Sequence, residues 1–497
     1  MKRIVLLLAA MLCAACLSGC VPLAINLQRT DDTVPLPLPD TAPIEAAVGD
    51  SRGTVQEEIE VRLISEEYHL VPVKCEIELS DRTSRAEEII RAQLGAKDTA
   101  DAKNPFPEGC TLLGLERSGN AAVVDLSIEA RAVESERQLL WMHSALSAAL
   151  SGVDGIEYVN LLIAGRSEEL MKLPAGLFGG TSTNMNTLEA RLNAEQDLVL
   201  NGESAGTERR AVLYYAERGG KFIIPVVRTV RLTDGDFITP LLDALSIEPT
   251  DGVLCSPLRH LSSAMVQPPE IVGTEDGRRI VRLTFDPNLI ATLEREGLDE
   301  WQLYASLTYT ITGFVPEIDA LVVQIGDGQL TKTERDGQEI TFPNGEMRRS
   351  DYPDAAGTMI SVYMTSLEGG LVRLERAMNR QSALSARTRL AELFRGVEAW
   401  ETGAARVMPD GVSIDDVLGV RIEGNEAVVN FSSNFYRCCQ ILNRQQERSL
   451  IYSLVNTLCE LPSVRAVRFQ IEGETVDHLV SEIFLRGALM PNIGIVK

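Results

Sequence analysis

AVVDLS at 122–127, SERQLLWMHSALSAALSG at 135–152 and YVNLLIAG at 158–165 form the stretch that decides the fold. A short apolar strand leads through a long polar-led helix to a strand closing on Gly165, and this order is written three times. The second copy reads IVRLTF at 280–285, DEWQLYASLTYTITG at 299–313 and ALVVQIG at 320–326. The third reads AVVNFS at 427–432, NRQQERSLIYSLVNTLCE at 443–460 and AVRFQIEG at 466–473. Met142, Leu146 and Leu150 align with Leu303, Leu307 and Ile311 and with Leu450, Leu454 and Leu458. Residues four apart share one helix face, which an amphipathic helix turns toward a sheet. From the last of each trio to the closing glycine is 15 residues every time, whereas Val123, Val281 and Val428 precede that last position by 27, 30 and 30. Loops absorb the difference while helix, turn and strand keep their spacing, the mark of a repeated unit.

Upstream of each of these stretches lies a strand pair and then a helix. Copy one has VRLISEE, LVPVKCEIEL and the helical SRAEEIIRAQL; copies two and three carry Gly219-Gly220 and Gly369-Gly370 where a hairpin must turn. Pro107-Glu108-Gly109 and Pro409-Asp410-Gly411 lead into the next strand, and copy two departs there with Pro268-Pro269 and an insert around Cys255. The expected fold is α+β: three tandem small domains, each β-β-α-β-β-α-β with helices packed against a sheet. Repeat one is placed at 56–170, repeat two at 209–330 and repeat three at 358–480. Between them, 171–208 and 331–357 contain Pro174-Ala175-Gly176 and Pro343-Asn344-Gly345, and the tail 481–497 contains Pro491-Asn492-Ile493-Gly494. These segments read equally as linkers or as hairpin appendages of each repeat.

At the N-terminus, Lys2 and Arg3 precede an apolar run from Ile4 to about Leu17, the layout of a secretory signal and too short to span a bilayer. Leu17-Ser18-Gly19-Cys20 resembles the lipobox of bacterial lipoproteins, in which residues 1–19 are removed and the cysteine is acylated. The expected location is the outer face of the cell membrane, held through lipid, palmitate included, on Cys20. Residues 20–55, with Pro35, Pro37, Pro39 and Pro43, read as a spacer. Lys and Arg number 47 against 71 Asp and Glu, a net charge of −24, which repels phosphate backbones and excludes nucleic acid as a partner.

The order of glycine-turned hairpin, helix, Pro-x-Gly turn, VVDLS-like strand, helix and closing strand resembles the GerMN domain of sporulation and germination lipoproteins. Residues Leu112 to Ser127 carry the resemblance best and Val428 to Ser432 next, while Val281 to Phe285 departs from it. The resemblance implies a non-enzymatic, membrane-anchored scaffold for docking or assembly in sporulation or spore germination. Its implied partners are proteins of an envelope or sporulation complex, or further copies of itself. The alternative is a module binding cell-wall glycan or a small ligand, although Trp141, Trp301 and Trp400 do not align as a repeated stacking platform would.

Reactive chemistry is sparse. His69, His143, His260 and His478 lack metal-ligand spacing, and His143 aligns with Tyr304 and Ile451, a packing position. No nucleophile elbow, phosphate loop or zinc helix motif occurs, so no catalytic residue, metal or cofactor is expected. Asp125, with Arg282 and Asn430 as counterparts, reads as a hydrogen-bonding residue, and Asp415-Asp416 as a solvated pair. Among the cysteines of the exported chain, Cys75 with Cys110 is the one pair to test for a disulfide, its pairing left open by the sequence, and the others read as buried thiols.

Overall fold

A computed structural model describes residues 47–497 except 48, 53–54, 80–83, 171–172, 175, 180–185, 187, 191–192, 194–206, 233–235, 258, 260 and 481–482. Cys20, His260 and most of the spacer lie outside the described residues. Three repeats of one α+β topology follow one another. In the first, strands Val55–Ser65 and Leu70–Leu79 form an antiparallel hairpin, followed by helix Arg85–Leu94 and a two-residue strand, Ala102–Lys103, that returns to the hairpin. Strands Leu112–Ser118 and Ala121–Leu126 then pair antiparallel, and helix Glu136–Leu150 crosses to Tyr158–Ile163, parallel to the middle strand.

Repeat two repeats this order from hairpin Thr207–Glu217 and Ile223–Leu232 to closing strand Ile318–Ile325. Repeat three runs from Thr358–Ser366 and Leu371–Met378 to Ala466–Ile471. Ahead of the long helix, repeats two and three insert short helices, Leu289–Glu296 and Ser433–Cys439, where repeat one has one 3-10 turn, Ile128–Arg131. That insertion accounts for the three-residue difference in spacing between the copies.

The long helices, Glu136–Leu150, Glu300–Thr312 and Arg444–Cys459, each lie between two sheets, the hairpin on one side and the three-stranded sheet on the other. All nine residues of the aligned trios are buried. The opposite face is buried as well, contrary to the single packed face expected from the sequence, and its side chains are small and polar. They have a task, because the short return strand covers only the end of the hairpin's first strand and leaves backbone groups farther along without a ladder partner. From the long helices, Thr310 Oγ1 accepts from the Tyr214 N–H (3.0 Å) and Thr457 Oγ1 from the Tyr363 N–H (3.1 Å), while in repeat one Gln93 Oε1 of helix Arg85–Leu94 accepts from the Arg62 N–H (2.7 Å). Arg62, Tyr214 and Tyr363 occupy equivalent positions, two residues before the first one paired with the return strand. A buried N–H left without an acceptor costs about 1–3 kcal/mol, so serine and threonine are accepted inside these helices despite their modest propensity.

The segments between repeats are appendages of the repeats. Phe178–Gly179 pairs with the closing strand at Val159 and Tyr158, Glu346–Met347 with Val322 and Leu321, and Leu489 bridges Val467. Each copy thus sends its chain back across the outer edge of its last strand before leaving.

Contacts between repeats link all three. Val123 and Leu162, on the outer face of repeat one's sheet, belong to the core of repeat two, and Asn160 Nδ2 donates to Gly313 O (3.1 Å). Repeat two's Ile223 exchanges backbone hydrogen bonds with Ala355 and Gly357 at the entry to repeat three. Arg380 of repeat three donates to the Leu115 carbonyl of repeat one.

A further connection involves residues expected to be spacer. Ser51–Arg52 pairs parallel with Arg421 and Ile422, adding an edge strand to repeat three, and Ala47 is fully buried. The Ala47 N–H donates to Gln470 Oε1 (3.1 Å), Asn430 Nδ2 donates to Ala47 O (3.0 Å) and the Val420 N–H to Asp50 Oδ1 (3.1 Å). The spacer therefore ends before Ala47, since backbone groups this well partnered are part of a sheet. Gly419 permits the approach: a Cβ there would lie 2.5 Å from Gly49 O and 2.7 Å from Ala47 O. Substituting Gly419→Val should expel residues 47–52 while leaving the repeats folded. Hydrogen exchange would show faster exchange at Gly49 and Val420, with the Val428–Phe431 ladder still protected.

Candidate functional site

The three repeats meet around a cleft of about 670 Å³ to which all of them contribute. Repeat one supplies Leu112–Gly119, repeat two Ile224–Val226 and repeat three Thr358–Ser361 together with Arg380 and Arg389. Strand Leu112–Ser118 reaches it because this edge of repeat one's sheet has no further strand beside it among the described residues. Five arginines line the cleft, Arg91, Arg117, Arg373, Arg380 and Arg389, opposite Glu87, Asp154, Asp251, Glu375 and Glu460. In a chain of net charge −24 such parity makes the cleft wall locally neutral.

Beneath the cleft, one arginine from the appendage of repeat two is inserted between repeats one and two. The Arg349 side chain is 7% exposed and pairs with Glu116 of repeat one, itself 13% exposed, at 3.0 Å. Arg349 Nη2 also donates to the Tyr214 hydroxyl (2.9 Å) and Nη1 to Tyr309 O (3.1 Å), while its guanidinium lies 4.0 Å from the Tyr309 ring centroid. The Tyr214 hydroxyl in turn donates to Glu116. Burial drives the Tyr214 hydroxyl well above its ordinary pKa, so it stays a donor. Although burial opposes its charge, the neighbouring oxygens hold the Arg349 guanidinium protonated.

A second charged seam joins the same two repeats at the surface, where Arg166 bridges Glu168 (3.4 Å) and Asp319. Burial, with help from Glu317 and Asp319 and against Arg166, pushes the Glu168 carboxyl up to about 7.

The residues singled out from sequence have structural environments. Asp125 Oδ1 accepts from the Gly165 N–H (2.8 Å), and Asn430 Oδ1 accepts from the Gly473 N–H at the same distance. Both clamp the two-residue turn that follows the closing strand, where Ala164-Gly165 and Glu472-Gly473 have positive φ. The register corrects the third member of this set. The Gly326 N–H donates to Phe285 O as Ala164 donates to Leu126 O and Glu472 to Phe431 O, so Thr284, not Arg282, is the counterpart of Asp125. Gly326 is accordingly the first turn residue, one place earlier than Gly165 and Gly473.

Asp416 is also not part of a solvated pair: it is buried and accepts from Ser432 Oγ (2.6 Å) and the Ser413 N–H (3.0 Å), which hold its carboxyl below the ordinary range against burial. Asp415 is exposed. Cys75 and Cys110 are unpaired, as are Cys255, Cys438, Cys439 and Cys459, and burial pushes the Cys110 thiol up to about 11 and that of Cys439 to about 12. Among the described residues no group of three or more His, Cys, Asp or Glu side chains could hold a metal ion, and no helix is long and apolar enough to cross a membrane. The arginines of the cleft escaped sequence reasoning because they come from repeats one and three at unaligned positions.

Residues 55–169 and 361–477 match the Germane family, described as sporulation and spore germination. Among solved structures the chain is similar to the tandem GerMN domains of the sporulation protein GerM from Bacillus subtilis, with 16% identity, 58% of this chain and 99% of that chain covered, and a TM-score of 0.24. It is also similar to the first GerMN domain of that protein, with 19% identity, coverage of 26% and 97%, and a TM-score of 0.21. No curated protein matches the chain.

Two outcomes test this account of the interior. Glu116→Ala strands the Arg349 guanidinium and should cost about 3–5 kcal/mol in denaturant unfolding, whereas Glu116→Leu combined with Arg349→Met should recover most of that loss. His143 is fully buried with neither ring nitrogen bonded, its ring 4.9 Å from that of Phe178, and burial depresses its pKa to about 3. With the folded value below the unfolded one, near 6.5, acid favours the unfolded chain, and stability falls as pH drops through that interval. His143→Leu should make the loss of stability between about pH 6.5 and 3 measurably shallower.

Proposed function

Because two of its three repeats are Germane domains, we propose that the chain is a non-enzymatic docking or assembly scaffold of the cell envelope, acting in sporulation or spore germination. In this reading it is held at the outer face of the membrane by lipid on Cys20, and the described residues form the part displayed outside. The observation that carries the reading is how the modules use their sheets. Repeat one gives the outer face of its sheet to repeat two, and the edge of repeat three accepts the strand at 51–52. The corresponding edge of repeat two, Glu270–Gly273, pairs on one side only among the described residues and leaves Ile271 44% exposed. An unpaired edge with an exposed apolar side chain is a template for a strand of another chain.

The scaffold reading is tested by placing a photo-crosslinking residue at Ile271 in sporulating cells. The expected products join this chain to an envelope protein or to a second copy; adducts confined to its own repeats would remove the reading. Independently, Cys20→Ser should shift the protein from the membrane fraction to the soluble one. Retention of the variant in membranes would overturn the lipid anchor.

A further inference from the structure

The central cleft holds guanidinium groups that have no carboxylate within ion-pair distance among the described residues. Of the carboxylates on its wall, four have local partners, and Asp154 acts on Arg117 through its charge without an ion-pair contact. Glu87 closes the N-cap of its helix with the Ser84 N–H, Asp251 Oδ1 accepts from the Val253 and Leu254 N–H groups, Glu460 accepts from the Tyr363 hydroxyl (2.5 Å) and Glu375 pairs with Arg373 (3.5 Å). Arg91 pairs with Glu88 outside the cleft (2.6 Å).

Three arginines have only carbonyl acceptors among the described residues. Arg117 Nη2 donates to Asp154 O (2.9 Å) and Gly119 O (3.3 Å), and its buried Nε has no acceptor. Arg380 Nη1 reaches Leu115 O, and Arg389 Nε donates to Ala383 O (2.8 Å). Arg389 is 7% exposed, so its guanidinium has lost most of its hydration without gaining a carboxylate within ion-pair distance. Burial lowers its pKa to about 10, with the more distant Glu460 the one charge opposing that shift. A guanidinium taken out of water without an anion is costly, and the planar fork it presents suits carboxylate or phosphate oxygens.

From these guanidinium groups without a paired carboxylate we infer that the three-repeat cleft binds a small anionic ligand through carboxylate or phosphate oxygens, with Arg380 and Arg389 as its principal contacts. A cavity of about 670 Å³ is of the size that encloses a small molecule rather than a protein segment. Because repeats one, two and three each form part of the wall, occupancy would tie them together and favour the closed arrangement of the repeats. The inference is independent of the docking reading, which rests on the sheet edge at 270–273.

The test is isothermal titration of the full chain, in separate arms, with inorganic phosphate and with succinate, joined to hydrogen exchange. One saturable site per chain is expected in at least one arm, with slower exchange over Leu112–Ser118 on saturation. The arm that saturates names the preferred oxyanion. Affinity should fall at least about tenfold in Arg380→Gln and in Arg389→Gln, and remain unchanged in Arg231→Gln, whose partner Glu208 lies on an exposed hairpin. Should Arg389→Gln fail to fold, Arg380→Gln and the wild-type titration decide the matter alone. No saturation of the wild type by either anion would overturn the inference, and so would binding left intact by the arginine substitutions.

Discussion

A helix held between two sheets must satisfy whatever backbone its neighbours leave unpaired, and in this protein that requirement governs the rest of the structure. The hairpin's first strand is covered by another strand only at its end, because the return strand is two residues long. Beyond that point its N–H groups face a helix. Gln93, Thr310 and Thr457 meet the same backbone position in the three repeats, from the first helix in repeat one and from the long helix in the other two. Different residues on different helices converge on one donor because the cost of a buried N–H without an acceptor exceeds the small propensity differences among helix residues. Once that position is satisfied, both faces of the long helix can be dry, and each repeat acquires a continuous core from two sheets.

Joining the repeats then becomes a matter of charge as much as of apolar area. A net charge of −24 disfavours compaction through self-repulsion, and the interface between repeats one and two answers with a buried arginine rather than with more leucine. Arg349 comes from the appendage after repeat two, packs on Tyr309 and reaches Glu116 of repeat one. The pair adds little net stability over an apolar substitute, but its loss from one side alone is expensive. It thus makes the relative placement of the two repeats specific. Repeat three is joined by backbone pairing at Ile223 and by the strand at 51–52, contacts that depend on sheet edges instead. The cleft enclosed by the three is where Arg380 and Arg389 meet carbonyl acceptors rather than carboxylates.

Much of this was legible in the sequence, and the parts that were not share a cause. The trios Met142-Leu146-Leu150, Leu303-Leu307-Ile311 and Leu450-Leu454-Leu458 announced the helices because a 3.6-residue period is a local property. His143 was readable as a packing residue from its aligned neighbours Tyr304 and Ile451. The pairing of Asp125 with Thr284 was not readable, since the glycine used for alignment occupies the second turn position in repeats one and three and the first in repeat two. Residues 47–52 looked like spacer because six residues of extended chain carry no periodic signal; only Gly419, more than 360 residues away, makes room for them.

The sequence by itself determined the repeat, its strand and helix order and the α+β class, because each follows from periodicity and turn chemistry within about 120 residues. It also determined the acidic charge and the absence of recognisable catalytic motifs. Tertiary structure alone decided that Arg349 joins two repeats, that the inter-repeat segments return to their own sheets and that Arg117, Arg380 and Arg389 face one cleft. Those outcomes depend on which surfaces meet. Contact between residues hundreds of positions apart leaves no period or spacing in the chain, and the burial that gives such residues their energetic weight exists only once the repeats have come together.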